Sequence, residues 1–180
     1  MDKEKNKIAK QRNVPKVVVL AEPAVIYATT DLSDSMVSIR EVNNIFLSEI
    51  SKKPEADMLP FEKMQMAKNG LSKKDLEALK QKASLDYDEL AQMLSVTRAT
   101  LINKKGEEKF SVVLSERIIA IADIYSYGVE VFGEIGLVQQ WMFQSNRALG
   151  GETPFSIIDT QFGREELRNL IGRIAYGVYS

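Results

Sequence analysis

The side chains behind much familiar enzymology are missing from this sequence: its 180 residues include no cysteine and no histidine. Disulfides, thiolate zinc sites, cysteine nucleophiles and imidazole proton transfer are therefore excluded. Carboxylates remain, but the pair Glu165-Glu166 reads as a helix start, where negative charge complements the dipole. The stretch NRALGGETPF, Asn146 to Phe155, raises the question of phosphate binding. A phosphate loop needs a longer glycine framework closed by a lysine, and here Glu152 follows Gly151. The alternative uses every residue: Gly150 and Gly151 supply backbone angles closed to other residues, Thr153 caps a helix and Pro154 takes its first position. The loop shapes the chain. No catalytic residue, metal ligand or cofactor is expected.

What is left is binding chemistry. Thr97, Arg98, Thr100, Asn103, Lys104 and Lys105 lie close together in sequence. Arginine and asparagine can make paired hydrogen bonds to base edges, while lysines and a capping hydroxyl reach phosphates. Three successive helix starts position them. Leu71-Ser72-Lys73-Lys74-Asp75-Leu76, Leu85-Asp86-Tyr87-Asp88-Glu89-Leu90 and Val96-Thr97-Arg98-Ala99-Thr100-Leu101 each place a capping oxygen between two apolar residues that staple the first turn. The helix from Tyr87 to Leu94 has only Ser95, Val96 and Thr97 in which to turn before the next begins, which is helix-turn-helix spacing. Leu90, Ala91, Leu94, Val96, Leu101 and Ile102 form the shared core, Arg98, Thr100, Asn103, Lys104 and Lys105 face outward, and Gly106 ends the second helix. A helical hairpin with solvated charges has the same pattern, so the spacing leaves both readings open.

Beyond this motif, a helix beginning at Ser111 or Ser115 carries Ile118, Ile121, Tyr125, Val129 and Phe132 along one side, and Gly133 and Gly136 break it. That stripe serves either as a dimer surface or as internal core. Leu137 to Gln144 forms a helix with Trp141 on its buried side. A short helix from Pro154 to Thr160 buries Phe155, Ile157 and Ile158. After a turn at Gly163, Arg164 to Tyr176 presents Leu167, Leu170, Ile171 and Ile174 on its apolar side and stops at Gly177.

The chain's start is different in character. Met1 to Lys16 carries six basic and two acidic residues without apolar periodicity and reads as a mobile arm, in which a nucleic-acid signal competes with a plain solvated tail. Val17 to Thr30 suits a strand or two, Met36 to Ile50 has helical spacing, and Ser51 to Asp57 reads as a linker. The apolar run Val17 to Ala21 is too short for a secretory signal and meets Glu22 and Pro23, so a cytoplasmic protein with no membrane partner is expected.

The order Trp141, Asn146, Leu149-Gly150-Gly151, Thr153-Pro154, Thr160, Gly163, Gly172-Arg173-Ile174 and Gly177-Val178-Tyr179 resembles the toxin-binding domain of the Xre/MbcA/ParS antitoxins. In that family it follows an Xre-like helical domain. The resemblance runs from about Pro60 to Ser180 and is most specific from Trp141 onward. It implies a mainly α fold: an N-terminal extension over 1–58, partly flexible and with room for a short strand, an Xre-like helix-turn-helix domain over 59–110, and a small helical toxin-binding domain over 111–180. It also implies an antitoxin without catalytic activity, which blocks a RES-type, NAD-consuming toxin and represses its own operon, probing operator DNA as a homodimer. On that reading Arg173, Tyr176, Val178, Tyr179 and Ser180, with its terminal carboxylate, enter the toxin's pocket, and Arg147 sits at the rim. The competing reading packs Tyr176 at home and leaves the last residues frayed. At the level of function the alternative is a helix-turn-helix regulator whose C-terminal domain senses a small molecule.

Overall fold

The computed structural model describes residues 44–105 and 108–177. The basic arm, the strand over Val17 to Thr30, Gly106 and Val178 to Ser180 lie outside the described residues. Local capping chemistry sets most helix boundaries. Helix α1 (Pro60–Asn69) starts with a proline, and the Glu62 carboxylate accepts the Leu59 N–H at 2.7 Å. In α2 (Lys73–Lys82) Ser72 and Asp75 form a reciprocal capping box, and in α3 (Tyr87–Met93) Asp86 and Glu89 do the same. Helix α4 (Arg98–Ile102) is capped by Thr97, whose hydroxyl accepts the Thr100 N–H at 3.2 Å. Helix α5 (Val112–Phe132) is capped by Ser111 and ends at Gly133 with φ of 91°.

The C-terminal elements follow in turn. Helix α6 (Ile135–Phe143) contains Gly136, so only Gly133 breaks the chain there and the second glycine is tolerated inside the helix. After a 3-10 turn over Arg147–Leu149, Gly150 and Gly151 take φ of 70° and 95°, left-handed angles that a side chain would strain. Thr153 then caps α7 (Pro154–Ile157) with Pro154 in its first position. Ile158 is fully buried, whereas Phe155 and Ile157 are only partly so, because Phe155 stacks against the half-exposed Phe143 with ring centres 4.7 Å apart.

Helix α8 (Gln161–Ala175) begins earlier than its glycine implied. Thr160 caps it by accepting the Gly163 N–H at 2.9 Å, which puts Gly163 inside the first turn. The need for glycine there is space, since a Cβ would lie 1.7 Å from the Ile157 carbonyl oxygen. The earlier start also moves Glu165 and Glu166 into the second turn, away from the helix end, where Glu165 accepts from Gln161 at 3.0 Å and Glu166 from Arg173 at 2.8 Å.

Helix α5 is the centre of the described chain. It packs against α1, α6, α8 and a 3-10 turn over Glu55–Asp57. Ile118, Ile121, Tyr125 and Val129 are buried there, and Phe132 stacks on Trp141 at 5.4 Å. The stripe is internal core, and a second copy cannot use it as a dimer surface. Two helices from either side of α5 also meet it through one carboxylate: Asp123 accepts Lys63 Nζ of α1 at 2.6 Å and the Arg168 guanidinium of α8 at 2.7 Å.

Residues 44–57 depart most from the helix and linker expected of them. Asn44 to Ile50 is a chain of turns, and its backbone is held by a side chain: the fully buried Glu55 accepts the Phe46 N–H at 2.9 Å and the Leu47 N–H at 2.7 Å. Lys82 donates to the Ile45 carbonyl at 2.6 Å, and Phe46 packs on Tyr125 with ring centres 5.9 Å apart. The segment is a strap across α2 and α5. The described residues contain no β-strand, only one bridge between Ser72 and Lys109, and no helix among them is long and apolar enough to cross a membrane.

Candidate functional site

The α3–α4 pair is built as the spacing requires. Leu90, Leu94 and Leu101 are fully buried and Ala91 nearly so, while Val96 and Ile102 are half-buried at the edge. The sharp turn is made at Ser95, a non-glycine residue at φ of 52°, and the Val96 N–H returns to the Ala91 carbonyl at 2.9 Å. Two contacts from outside the motif fix its carbonyl ends. Lys73 Nζ of α2 donates to the Ile102 carbonyl at 2.7 Å, and Arg117 of α5 donates to the Leu94 carbonyl at 2.9 Å. Cations at helix C-termini are favourably placed.

Of the candidate DNA-binding residues, Thr97, Arg98, Thr100, Asn103 and Lys105 are exposed on α4 and its ends. The Thr97 and Thr100 hydroxyls share a hydrogen bond at 2.9 Å. Arg98 holds Asp88 of α3 at 2.6 Å. Lys104 is set apart from the rest: it is half-buried, 3.8 Å from Glu108, with its ammonium 5.8 Å from the centre of the Phe110 ring. Sequence reasoning missed Asp88 as a partner of Arg98, because it sees Asp88 only as a first-turn residue of α3.

The second set gathers on the last helices. Tyr176 is 84 % exposed, so it does not pack at home. Arg173, three residues earlier, is half-exposed and tied to Glu166. Arg147 is exposed on the 3-10 turn before the glycine pair. Val178, Tyr179 and Ser180 lie outside the described residues.

Between α5 and α8 lies a cleft of about 610 Å³ lined by charges of both signs, among them Arg117, Asp159, Arg164 and Glu165. Arg164 donates to the Ile158 and Asp159 carbonyls at 3.0 Å each. Burial, then the neighbouring Arg117, pulls its pKa below the ordinary arginine value.

Comparison with known proteins matches both surfaces to described domains. Residues 62–123 match the antitoxin Xre-like helix-turn-helix domain, and residues 128–177 match the C-terminal toxin-binding domain of the antitoxins Xre/MbcA/ParS. Antitoxin Xre of Photorhabdus laumondii is 38 % identical over 76 residues, which make up 42 % of this chain and 51 % of that protein. Antitoxin Xre of Yersinia enterocolitica is 28 % identical over 115 residues, or 63 % of this chain and 78 % of the relative. The chain thus spans about half of the first of these relatives and most of the second. With both matches consecutive in one mostly helical chain, the protein carries the helix-turn-helix and toxin-binding domains of an Xre/MbcA/ParS-type antitoxin, in that order.

Proposed function

We propose that this chain is the antitoxin of a type II toxin–antitoxin system, that it blocks a RES-type, NAD-consuming toxin with its C-terminal half, and that it represses its own operon through α3 and α4. The observation that carries the reading is the arrangement of the two matched domains: one ends at residue 123 and the other begins at 128, both inside α5. We assign DNA reading to residues 59–110, through Thr97, Arg98, Thr100, Asn103, Lys104 and Lys105. Toxin capture is assigned to residues 111–180, through Arg147, Arg173, Tyr176, Val178, Tyr179 and Ser180.

Physical chemistry supports both assignments. A helix that offers arginine and asparagine at its exposed face suits a major groove. An exposed tyrosine beside an arginine at the end of a long helix suits a concave pocket, since each covers much area and makes directed hydrogen bonds. The antitoxin is not itself an enzyme on this reading, and it needs no cofactor. Paired half-sites call for two copies, and the reading places the protein in the cytoplasm with its operator and the toxin's NAD.

The test is co-expression with the adjacent reading frame. The two products should purify as one complex, and the chain should suppress loss of cellular NAD caused by its partner. If the neighbouring product neither binds nor consumes NAD, the reading fails.

A further inference from the structure

We infer that Asp88 is a specificity-determining residue: it orients Arg98 so that the free edge of the guanidinium selects a guanine, and it penalises DNA that does not reward that geometry. The inference rests on the DNA-reading role proposed for α3 and α4.

Arg98 is the first residue of α4, the part of a second motif helix that meets base edges. Its NH1 donates to Asp88 Oδ2 at 2.6 Å, across the two helices of the motif. A guanidinium has five N–H donors in a rigid plane, so the bond from NH1 to the carboxylate restricts where the group can swing and leaves its Nε–NH2 edge for O6 and N7 of guanine. Asp88 is itself held: its backbone N–H donates to Asp86 Oδ1 at 2.8 Å at the capped start of α3. Both ends of the bridge therefore start from defined backbone.

Two further points favour a functional role over a structural one. The side chains remain 56 % and 66 % exposed, and an ion pair so open to water contributes little to folding. A carboxylate on a face that approaches phosphates also opposes general attraction to DNA. An arrangement that weakens every DNA complex but orients one base-reading group raises the contrast between right and wrong sequences.

The experiment is selection from a randomised duplex library by the full chain, compared with Asp88→Asn, Arg98→Lys, Arg98→Ala and the double variant Asp88→Asn/Arg98→Ala. Helix content by circular dichroism should be the same for all. The wild type should enrich a motif containing a guanine that Arg98→Ala no longer selects. Asp88→Asn should lower the preference for that guanine by about tenfold, part of the range expected of a paired arginine–guanine contact, while it binds random duplex of equal length more tightly. Arg98→Lys should lose the same preference although it keeps the charge. Adding Asp88→Asn to Arg98→Ala should cost no further preference. If the wild type selects a motif and Asp88→Asn selects it equally well, the inference is overturned and the DNA reading stands. If the wild type selects no motif, the DNA reading falls and the inference with it.

Discussion

Glu55 shows how far one residue can act when its partners are backbone. Its carboxylate is the acceptor for two buried N–H groups, those of Phe46 and Leu47, and so replaces the helix expected of that segment. Glu55→Ala would leave both donors without partners, at a cost of about 2–6 kcal/mol from the usual penalty per buried group. Burial raises the Glu55 pKa above its ordinary 4.5, against the pull of these N–H groups and the Lys82 charge. The folded chain therefore holds the proton more tightly than the unfolded one. This contribution to stability is full below pH 4.5 and is lost as pH rises through the folded value. Urea denaturation should show Glu55→Gln gaining on the wild type between pH 4.5 and pH 7, and a constant gap between the two would refute the assignment. Tyr176 is the opposite case, since it is 84 % exposed and has little to contribute to folding. Tyr176→Ala should leave the denaturation midpoint within error while weakening capture of the toxin tenfold or more, as loss of an aromatic anchor does. Equal capture by the variant, measured by calorimetric titration, would remove Tyr176 from the interface.

Among the elements, α4 depends heavily on its surroundings. Five residues are far too few to hold a helix in water. What holds it is the buried Leu101, the Thr97 cap and the lysine from α2 that closes its last turn. Thr97→Ala should cost about 1 kcal/mol, and the loss should appear locally as faster amide hydrogen exchange in Thr100 to Ile102. If exchange rises evenly through the whole chain instead, α4 has no independent fraying. The same comparison explains which parts of the fold were legible in the sequence. Caps at Ser72, Asp86, Thr97, Ser111 and Thr153 are local devices whose partners sit within three residues, and the helix-turn-helix followed from the spacing of the first three. Gly163, Glu55 and Asp123 were not legible in their roles. Gly163 answers to the carbonyl of a preceding helix, Glu55 to a strap folded back on it, and Asp123 to α1 and α8 at once. The binding surfaces were half legible: the sequence placed Arg98 on an exposed face and Tyr176 near a helix end, but it left the Asp88 bridge and the partial burial of Lys104 unseen.

At the scale of the whole molecule, the shared helix α5 makes the two functional halves one folding unit. Its first half completes the helix-turn-helix module, where Ser115 accepts the Leu71 N–H at 2.9 Å and Arg117 closes α3. Its second half is core for α6 and α8. Direct contacts also bypass it, since Gln139 of α6 donates to the Ala83 carbonyl at the end of α2. Asp123 adds a polar link between α1 and α8 that is mostly shielded from water. Neither half can unfold without exposing the apolar side of α5, which should make the transition all-or-none. The single tryptophan, Trp141, reports on the second half alone, whereas circular dichroism reports on helices in both. Urea melts followed by these two signals should coincide, and Asp123→Asn should move both midpoints together, by an amount set by about 1–3 kcal/mol once the partial exposure of Arg168 is allowed for. A fragment ending at residue 110 should fail to fold, because the Leu71 N–H and the Leu94 carbonyl would lose Ser115 and Arg117 of α5, and α1 would lose the helix it packs on. If the tryptophan signal melts apart from the helical signal, or that fragment folds and binds DNA, then α5 acts as a tether between two independent domains. In that case the helix-turn-helix and the C-terminal helices would have no shared core through which to influence each other.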